Sequence, residues 1–407
     1  MRKIVFVMPL FGDNARRYLR ALLALDGASI GLIHQQPIEA LHPAERRALD
    51  AQCQVADSMN PDQLVEACRR LQKSMGRIDR LVGFLEQTQG PIAAAREALG
   101  IEGIGREVAR NFRDKDRMKA VLREAGLPVA RSRRITSNGE LQRFVGEVGL
   151  PIVVKPLEGL GSRATFRVQD AASLQRALAQ LNASESNPWQ AEEFITGEEY
   201  TFEAITLGGQ VRWWSGTRYY PGPLQVLENP WIQYAVLLPR VEDSPQHLAF
   251  KPLHDRAIAA LGLKDGITHM EWFRRKDGSP VISEVAARPP GVHIMPMMSH
   301  AHNTDMIAAW AGVVGFERFT PRPRTHAVGT AFFRGQGKGE RVVAVRGLEA
   351  AQQAVGAVVI DRQLPVVGQP RSSHYEGEGW AMVKHPRTDV VRDALFKLVS
   401  TVRVDVG

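Results

Sequence analysis

ITHMEWFRRKDGSPVISEVAARPPG, residues Ile267–Gly291, has two short apolar runs on either side of an Asp-Gly pair. Such a pair between apolar runs is a strong local signal for a β-hairpin. If Asp277 and Gly278 are the two turn residues, Glu271 faces Glu284 on one side of the hairpin, with Cβ atoms about 5 Å apart. Like charges in that position destabilise a sheet. A divalent cation such as Mg²⁺, which prefers carboxylate oxygen, would compensate if it took ligands from both glutamates.

An alternative interpretation of the hairpin needs no metal. Pro280 follows the turn directly, and a proline that cannot donate to the ladder could force a slipped register. One of the two glutamates would then point into solvent. The hairpin alone leaves both interpretations open, and other segments of the chain bear on the choice.

Composition indicates a globular protein of two to three domains. The chain has 407 residues, 44% of them hydrophobic and 24% charged, and domains average roughly 150 residues. No uncharged apolar run reaches the roughly 18 residues that a membrane span requires, so we expect no membrane insertion. Cys53 and Cys68 are the only cysteines. They form neither a disulfide framework nor a zinc pattern, which is typical of a reducing, cytoplasmic location.

The positive charge is concentrated in one segment. Ten Lys or Arg and four Asp or Glu lie between Arg106 and Arg134, whereas the whole chain has a net charge of +8. This concentration suits a small phosphate-bearing ligand, and no zinc-finger, RNP or basic-zipper motif is present, so we expect no nucleic-acid binding. Within a helix predicted over this segment, Lys115, Lys119 and Arg123 recur at four-residue intervals, which is typical of a solvated face.

Strands and helices alternate in the first hundred residues. Lys3–Met8, Ser29–His34 and Arg80–Leu85 are β-rich runs separated by helical patterns, which predicts a parallel α/β layer. Ligands bind beyond the carboxyl ends of strands in such sheets. Glu86 follows the third strand, so we expect it near a cleft and treat it as a candidate for substrate contact.

Residues 213–234 contain six of the thirteen Trp and Tyr residues. Together with three prolines, they predict a structured loop rather than a regular element. The loop could wall a substrate pocket or could serve packing alone.

Two further segments have the composition of a nucleotide site. Lys155 ends an apolar strand before a turn with Gly159, Gly161 and Ser162; glycines let backbone N–H groups approach phosphate, and the lysine adds positive charge. The spacing is not that of a P-loop, and a plain glycine-rich hairpin is the alternative. In EEFITGEE at 192–199, the backbone of an exposed strand edge could pair with adenine, and a nearby carboxylate could accept hydrogen bonds from ribose. The alternative is that these acidic residues form a solvated loop.

Five segments in this order resemble motifs of the ATP-grasp superfamily: Asp114-Lys115, GLPVA at 126–130, GLPIVVKP at 149–156 with its glycine turn, EEFITGEEY at 192–200, and HMEW…SEVAARPPG at 269–291. The set is similar in particular to the carboxylate–amine ligase branch, which includes L-amino acid ligases and formate-dependent glycinamide ribonucleotide transformylase. The resemblance covers roughly residues 1–315 and is specific as a set. More loosely, the β-rich tail resembles the C-terminal segment of amino acid ligases.

The resemblance implies a fold of mixed α/β and α+β class with four parts. They are an N-terminal parallel α/β domain at 1–108, an ATP-grasp subdomain with a lid at 109–190, a second ATP-grasp subdomain with the Mg²⁺ site at 191–320, and a β-rich C-terminal segment at 321–407. It also implies small-molecule carboxylate and amine substrates, and a homodimer is compatible with it.

The resemblance further implies roles by position. Lys115 and Lys155 would contact the phosphates of ATP, and the loop with Gly159, Gly161 and Ser162 would close over them. The remaining implied contacts are adenine with Glu192, Glu193, Phe194 and Ile195, ribose with Glu199, Mg²⁺ (or Mn²⁺) with Glu271 and Glu284, and the acyl phosphate with Arg288. His293, which follows closely, is a further candidate for substrate contact.

The implied reaction activates a small carboxylate as an acyl phosphate, which an amine then attacks, with release of ADP and phosphate. The alternatives are a thiol or other acceptor, or a catalytically degenerate ATP-binding protein. The last alternative arises because Ala286 occupies a position where many members carry asparagine as a third metal ligand.

Overall fold

The structure, a computed structural model, describes residues 1–157 and 166–407. The glycine loop predicted to close over the phosphates, with Gly159, Gly161 and Ser162, therefore lies outside the described residues. Among the residues that are described, no helix is long and apolar enough to cross a membrane.

A parallel sheet forms the N-terminal layer, as the alternation of strands and helices predicted. Its strands, in the order β3-β2-β1-β4, are β1 (Arg2–Val7), β2 (Ala28–His34), β3 (Ala51–Gln54) and β4 (Arg80–Val82). The accompanying helices are α1 (Asp13–Leu23), α2 (Pro43–Arg47), α3 (Pro61–Met75) and α4 (Gln89–Leu99). Because helices cover both faces, the central strands are continuous apolar runs, and Ile4 to Met8 are completely buried. Glu86 follows β4 in a single 3₁₀ turn at the carboxyl edge.

Two helices, α5 (Arg106–Arg113) and α6 (Lys115–Glu124), replace the single helix predicted over 111–126. Asp114 separates them: its backbone is extended, and its carboxylate accepts hydrogen bonds from the N–H groups of Asp116 and Arg117 at 3.1 and 3.0 Å. An aspartate in this N-cap position starts a new helix. The prediction of a solvated stripe on this helix is also wrong, because Lys115 and Lys119 are buried.

A four-stranded antiparallel sheet follows. Its elements are β5 (Ser132–Ile135), α7 (Asn138–Val148), β6 (Ile152–Pro156), β7 (Phe166–Val168), α8 (Ala171–Gln180) and β8 (Trp189–Glu193), and the strand order is β5-β8-β6-β7. Residues of β6 and β8 face each other in the pairs Val153 with Glu192 and Lys155 with Gln190. This pairing brings the lysine that ends β6 close to the glutamate of β8.

A large antiparallel sheet contains most of the strands in the rest of the chain. Its strands, along the order β14-β13-β9-β11-β12-β15-β19-β18 with β10 paired to β9, are β9 (Gly197–Leu207), β10 (Gln210–Ser215), β11 (Arg218–Tyr220), β12 (Tyr234–Leu238), β13 (Gly266–Arg275), β14 (Pro280–Ala286), β15 (Ala327–Phe333), β18 (Val359–Gln363) and β19 (Gly379–His385). A smaller sheet consists of β16 (Gly335–Gln336), β17 (Val342–Arg346) and β20 (Arg403–Val406). The helices are α9 (Pro223–Glu228), α10 (Pro245–Leu261), α11 (Ile294–His302), α12 (Met306–Phe316), α13 (Leu348–Val355) and α14 (Thr388–Thr401).

Two consequences follow from this large sheet. Strands β15, β18 and β19 lie beyond residue 320, so the ladder continues without interruption from the second predicted ATP-grasp subdomain into the C-terminal segment. The boundaries of the four predicted parts stay predictions. The prediction of an irregular aromatic loop over 213–234 is wrong, because most of that segment forms β10, β11, α9 and the start of β12. Aromatic residues have high strand propensity, and here they pair in the ladder.

The hairpin of β13 and β14 reaches the predicted pairing by a different route. Glu271 faces Glu284, as predicted. However, Arg275 N–H donates to Ser279 O at 2.9 Å, so the turn holds three residues, with Gly278 at φ +85°. The register then shifts by one residue between Glu271 and Trp272. This bulge restores the pairing that the longer turn would have displaced.

Candidate functional site

A cavity of about 510 Å³ lies where the N-terminal layer, the four-stranded sheet and the large sheet meet. The predicted site residues among its lining are Glu86, Lys115, Lys155, Glu192, Glu193, Phe194, Ile195, Glu199, Glu271, Glu284 and Arg288. These residues come from segments as far apart in the chain as Glu86 and Arg288, and the fold brings them to one surface. Ala286 also lines the cavity.

Lys115 lies in the first turn of α6 and points at the hairpin. Its Nζ is 3.2 Å from Glu284 Oε1. Burial acts to raise the pKa of Glu284, but the neighbouring ammonium groups of Lys115 and Lys155 prevail and hold it below its usual value. The carboxylate on the second strand of the hairpin is therefore ionised and cation-paired before any ligand enters.

A second cluster joins β6, β8 and α6. Glu192 Oε1 lies 2.5 Å from Lys119 Nζ and 2.9 Å from Lys155 Nζ. Burial opposes ionisation of Glu192, yet the two lysines lower its pKa to about 2. For Lys155, burial lowers the pKa, but Glu192 and Glu284 raise it overall. Both partners of the Lys155–Glu192 pair therefore carry full charge in a buried setting.

Lys119 is a site residue that the sequence analysis missed. It is 1% exposed, although the four-residue spacing of charges on α6 suggested a solvated face. The signal was present in a different form, because Lys115 and Lys119 are one helical turn apart and must share a face. Once Lys115 is assigned to a buried face of α6, Lys119 is expected on that face, and its Nζ pairs with Glu192 of the cavity lining.

The strand edge predicted to meet adenine is partly occupied by contacts within the protein. Glu193 N–H donates to Arg131 O at 2.9 Å, and Phe194 N–H donates to Pro151 O at 3.2 Å. The Glu193 carboxylate pairs with Arg131 and Arg275 at 2.9 and 3.0 Å. The edge is thus fixed firmly to the neighbouring strands, while its residues through Ile195 still line the cavity.

Three partly exposed carboxylates line the cavity. Glu199 on β9 lines it together with the facing pair Glu271 and Glu284. Burial and the negative charge of Glu271 raise the pKa of Glu199 well above its usual value, and Lys155 offsets this only in part. Within residues 1–157 and 166–407, no cluster of three or more His, Cys, Asp or Glu is arranged to hold a metal ion.

His269 and Glu203 extend this charge network and were not predicted. His269 Nδ1 is 2.9 Å from Glu203 Oε1, and its Nε2 is 3.7 Å from Glu271 Oε1. Burial acts to lower the pKa of His269, but the two carboxylates raise it to about 9. His269 and Glu271 share a strand face because they are two residues apart in HMEW. Glu203 faces His269 only through the β9–β13 pairing, which the sequence does not reveal.

Arg288 is held by Glu86. Arg288 Nε donates to Glu86 Oε2 at 2.9 Å, and Arg113 Nη1 donates to Glu86 Oε1 at 2.9 Å. Glu86 is only 4% exposed. Its carboxylate therefore fixes the direction of the Arg288 guanidinium at the wall of the cavity.

His293 points elsewhere. Its ring lies 4.2 Å from the ring of Trp380 and 5.6 Å from that of Phe332, and its Nε2 is 3.7 Å from Glu376 Oε2. These contacts tie the segment after β14 to the C-terminal part of the chain. The substrate role predicted for His293 stays a prediction, and these contacts give it no support.

The donor set fits a magnesium nucleotide. The lysines Lys115 and Lys155 suit phosphate oxygens, and the facing glutamates suit a hard divalent cation. The side chain of Ala286 offers no oxygen, so within the hairpin Glu271 and Glu284 are the carboxylates that would hold such a cation.

Comparison with known proteins agrees with this fold. The ATP-grasp domain family matches residues 120–295. The chain is 24% identical over 254 residues to an alanine–anticapsin ligase of Bacillus subtilis (strain 168), covering 57% of this chain and 53% of that protein. It is 26% identical over 238 residues to an L-arginine-specific L-amino acid ligase of Bacillus subtilis, covering 57% and 56%. The match thus spans little more than half the length of these curated relatives.

The whole chain also superposes on a solved structure. The crystal structure of an L-amino acid ligase from Bacillus licheniformis matches with a TM-score of 0.76, covering 100% of this chain and 99% of that chain at 18% identity. At that identity the likeness establishes a common fold. Residues 120–295 are therefore an ATP-grasp domain, and the chain has the ATP-grasp fold.

Proposed function

We propose that this chain is an ATP-dependent ligase that activates a small carboxylate as an acyl phosphate and couples it to an amine, releasing ADP and phosphate. The observation that carries the proposal is the convergence of Lys115, Lys155, Glu271, Glu284 and Arg288 on one cavity. Phosphoryl transfer requires cations around the phosphates, metal ligands and a guanidinium for developing charge. The relatives named as amino acid ligases support an amine as the acceptor.

When bound, ATP would supply the γ-phosphoryl group, and Mg²⁺ or Mn²⁺ would neutralise the charge that develops during its transfer. Lys115 and Lys155 would hold the phosphate oxygens, and Glu271 with Glu284 would hold the metal. Glu199 would accept from the ribose. The edge from Glu192 to Ile195 would lie along the adenine. The resemblance to ATP-grasp ligases implies these assignments, and the presence of all these residues in the lining of one cavity supports them.

Arg288 would bind the carboxylate of the acid and then the acyl phosphate. Its guanidinium is directed by Glu86, so little reorientation is needed when charge moves onto the acid. Preorganised positive charge of this kind stabilises the transition state without a cost of rearrangement. The reaction needs no protein nucleophile, because holding the acid, the phosphate and the amine in line accounts for most of the catalysis.

The test is a matrix of acids and amines in which ADP, phosphate and amide are all measured. We expect ADP and phosphate to appear in equal amounts only when an acid and an amine are both present. Hydroxylamine serves as a small general amine, because it converts acyl phosphates to hydroxamates. If the protein binds magnesium nucleotide but no acid and amine yield ADP, the ligase proposal fails and a degenerate ATP-binding protein remains. If ADP forms with thiols and not with amines, the proposed acceptor is wrong, but the proposed activation of the carboxylate stands.

A further inference from the structure

One wall of the cavity differs in character from the nucleotide side. The N-terminal layer and the segment after β14 provide it, and we call it the acyl wall. Its residues are Asn14, Tyr18, Phe84, Leu85, Gln87 and Val292. Four of these six side chains are aromatic or aliphatic, and the two polar ones are uncharged.

We propose that the acyl wall binds the side chain of the carboxylate substrate, and that this side chain is apolar. The substrate class is thus an amino acid or other small acid with an aliphatic or aromatic substituent. This inference rests on the proposed function, because it concerns the acid that the ligase would activate.

The position of Arg288 connects the wall to the acid. Arg288 lines the same cavity as Tyr18, and Val292 of the wall follows Arg288 by four residues in the chain. A carboxylate held by Arg288 carries its substituent only one or two bonds away. The substituent must therefore meet the part of the cavity that Tyr18 and its neighbours form.

The wall is rigid before any substrate binds. The Tyr18 and Phe84 rings are stacked with centroids 4.2 Å apart and an interplanar angle of 11°. Trp310 packs edge-on against Tyr18 at 4.9 Å, and Phe6 packs against Trp310 at 6.1 Å. Each such aromatic pair favours one geometry. A wall of this kind selects by shape and polarity and does not reshape itself around each acid.

The six side chains of the acyl wall carry no charge. Glu86 is adjacent, but its two oxygens are hydrogen-bonded to Arg113 and Arg288. Arg288 in turn would be engaged by the carboxylate of the acid. A lysine-like or glutamate-like substituent would lose water at the wall without gaining a partner, which is unfavourable.

We expect the charge of the substituent to change kcat/KM strongly and its size to change kcat/KM moderately. One methylene group more or less in an apolar pocket changes kcat/KM by roughly 10–200-fold. We therefore expect methionine, leucine and phenylalanine to exceed glutamate and lysine by at least about 100-fold in kcat/KM. Glutamine, which has nearly the shape of glutamate without its charge, should lie between the two groups.

The primary experiment uses the unmodified full-length protein with MgATP, hydroxylamine and single acids, and measures ADP release and hydroxamate. A preference for apolar acids supports the inference. A preference for charged acids, with robust ADP release, overturns the inference and leaves the proposed function intact. No ADP release with any acid, including the apolar ones, overturns the proposed function itself.

A variant sharpens the test. Leu85→Lys places a cation on the acyl wall, and we expect kcat/KM for methionine to fall at least about 10-fold while that for glutamate rises. Val367→Lys is the matched control, because Val367 is 62% exposed and is not among the cavity residues. An unchanged ratio of methionine to glutamate in Leu85→Lys would contradict the placement of the substituent. Magnesium-nucleotide binding by Leu85→Lys, measured by calorimetry, shows that the variant is folded.

Discussion

Lys115 Nζ lies 3.2 Å from Glu284 Oε1, so a proposed phosphate ligand and a proposed metal ligand neutralise each other in the ligand-free protein. Binding of a magnesium nucleotide would exchange this pair for two others, Lys115 with phosphate and Glu284 with the metal. Pairing of Lys115 with phosphate frees Glu284 for the metal, and pairing of Glu284 with the metal frees Lys115 for phosphate. Metal and nucleotide should therefore bind with positive coupling, and coupling of this kind is typically 5- to 150-fold.

Lys115→Met tests this exchange. Without Lys115, Glu284 loses this ion pair, so the affinity of the protein for Mn²⁺ alone should rise several-fold. The affinity for nucleotide should fall, because a proposed phosphate ligand is missing. Electron paramagnetic resonance of Mn²⁺ and calorimetry of ADP measure the two effects separately. Lys276→Met, in the exposed turn of the same hairpin, is the control. If Mn²⁺ affinity of Lys115→Met equals that of the unmodified protein, the ion pair does not limit metal binding.

Replacing either facing carboxylate should abolish turnover. Glu271→Gln and Glu284→Gln retain the side-chain shape but remove the negative charge that a divalent cation requires. We expect ADP formation to fall at least about 100-fold, and raising Mg²⁺ should restore part of it. Glu340→Gln, on the exposed surface, is the control. Normal turnover by Glu284→Gln would show that the metal assignment is wrong.

The sequence predicted the parallel N-terminal layer and the facing glutamates, because both depend on local periodicity and turn chemistry. It missed the three-residue turn and the bulge next to Glu271, and the correct pairing resulted from the cancellation of two local errors. The extra residue, Ser283, belongs to β14, because β13 pairs with β9 without a shift in register. The apolar pattern of the two strands does not mark that residue.

Lys119 and Glu203 show the other limit. The spacing of the charges on α6 fits a solvent-exposed helix face and a face buried against a counter-ion equally well. Only the position of β8 in the fold shows that Lys119 pairs with Glu192. Glu203 belongs to the network because β9 pairs with β13. Contacts that depend on strand order across a sheet have no signature in one sequence.

Glu192 should matter for stability more than Lys119 does. Removing one member of a buried ion pair leaves an uncompensated charge, which costs about 3–5 kcal/mol. Glu192→Gln leaves the buried Lys119 and the partly exposed Lys155 without their carboxylate, whereas Lys119→Met leaves Glu192 paired with Lys155. We expect the larger loss in free energy of unfolding for Glu192→Gln, measured by urea denaturation of the ligand-free protein. Glu185→Gln, an exposed neighbour in the same region, should change nothing. Equal losses in the two variants would refute the asymmetry.

The same cluster should make the protein sensitive to acid. The pKa of Glu192 is about 2 in the folded protein, against a usual value of 4.5. Because the folded-state pKa is the lower one, the stabilising contribution is complete above about pH 4.5 and is lost as the pH falls towards 2. The free energy of unfolding should thus decrease between pH 5 and pH 3. Glu192→Gln, which lacks this carboxylate, should lose less over the same range; an identical slope would assign the acid sensitivity to other groups.

Glu86 can act on the reaction in two ways, and kinetics separates them. If it positions Arg288, as the 2.9 Å hydrogen bond indicates, Glu86→Gln releases the guanidinium, and a displacement of about 1 Å lowers kcat about 100-fold. If it instead contacts the acid directly, KM for the acid rises while kcat is retained. Magnesium-nucleotide affinity should stay unchanged in either case. Glu102→Gln, whose carboxylate pairs with Arg80 and is largely exposed, is the control. We expect the fall in kcat, because both oxygens of Glu86 already accept hydrogen bonds from arginines and its side chain is nearly fully buried.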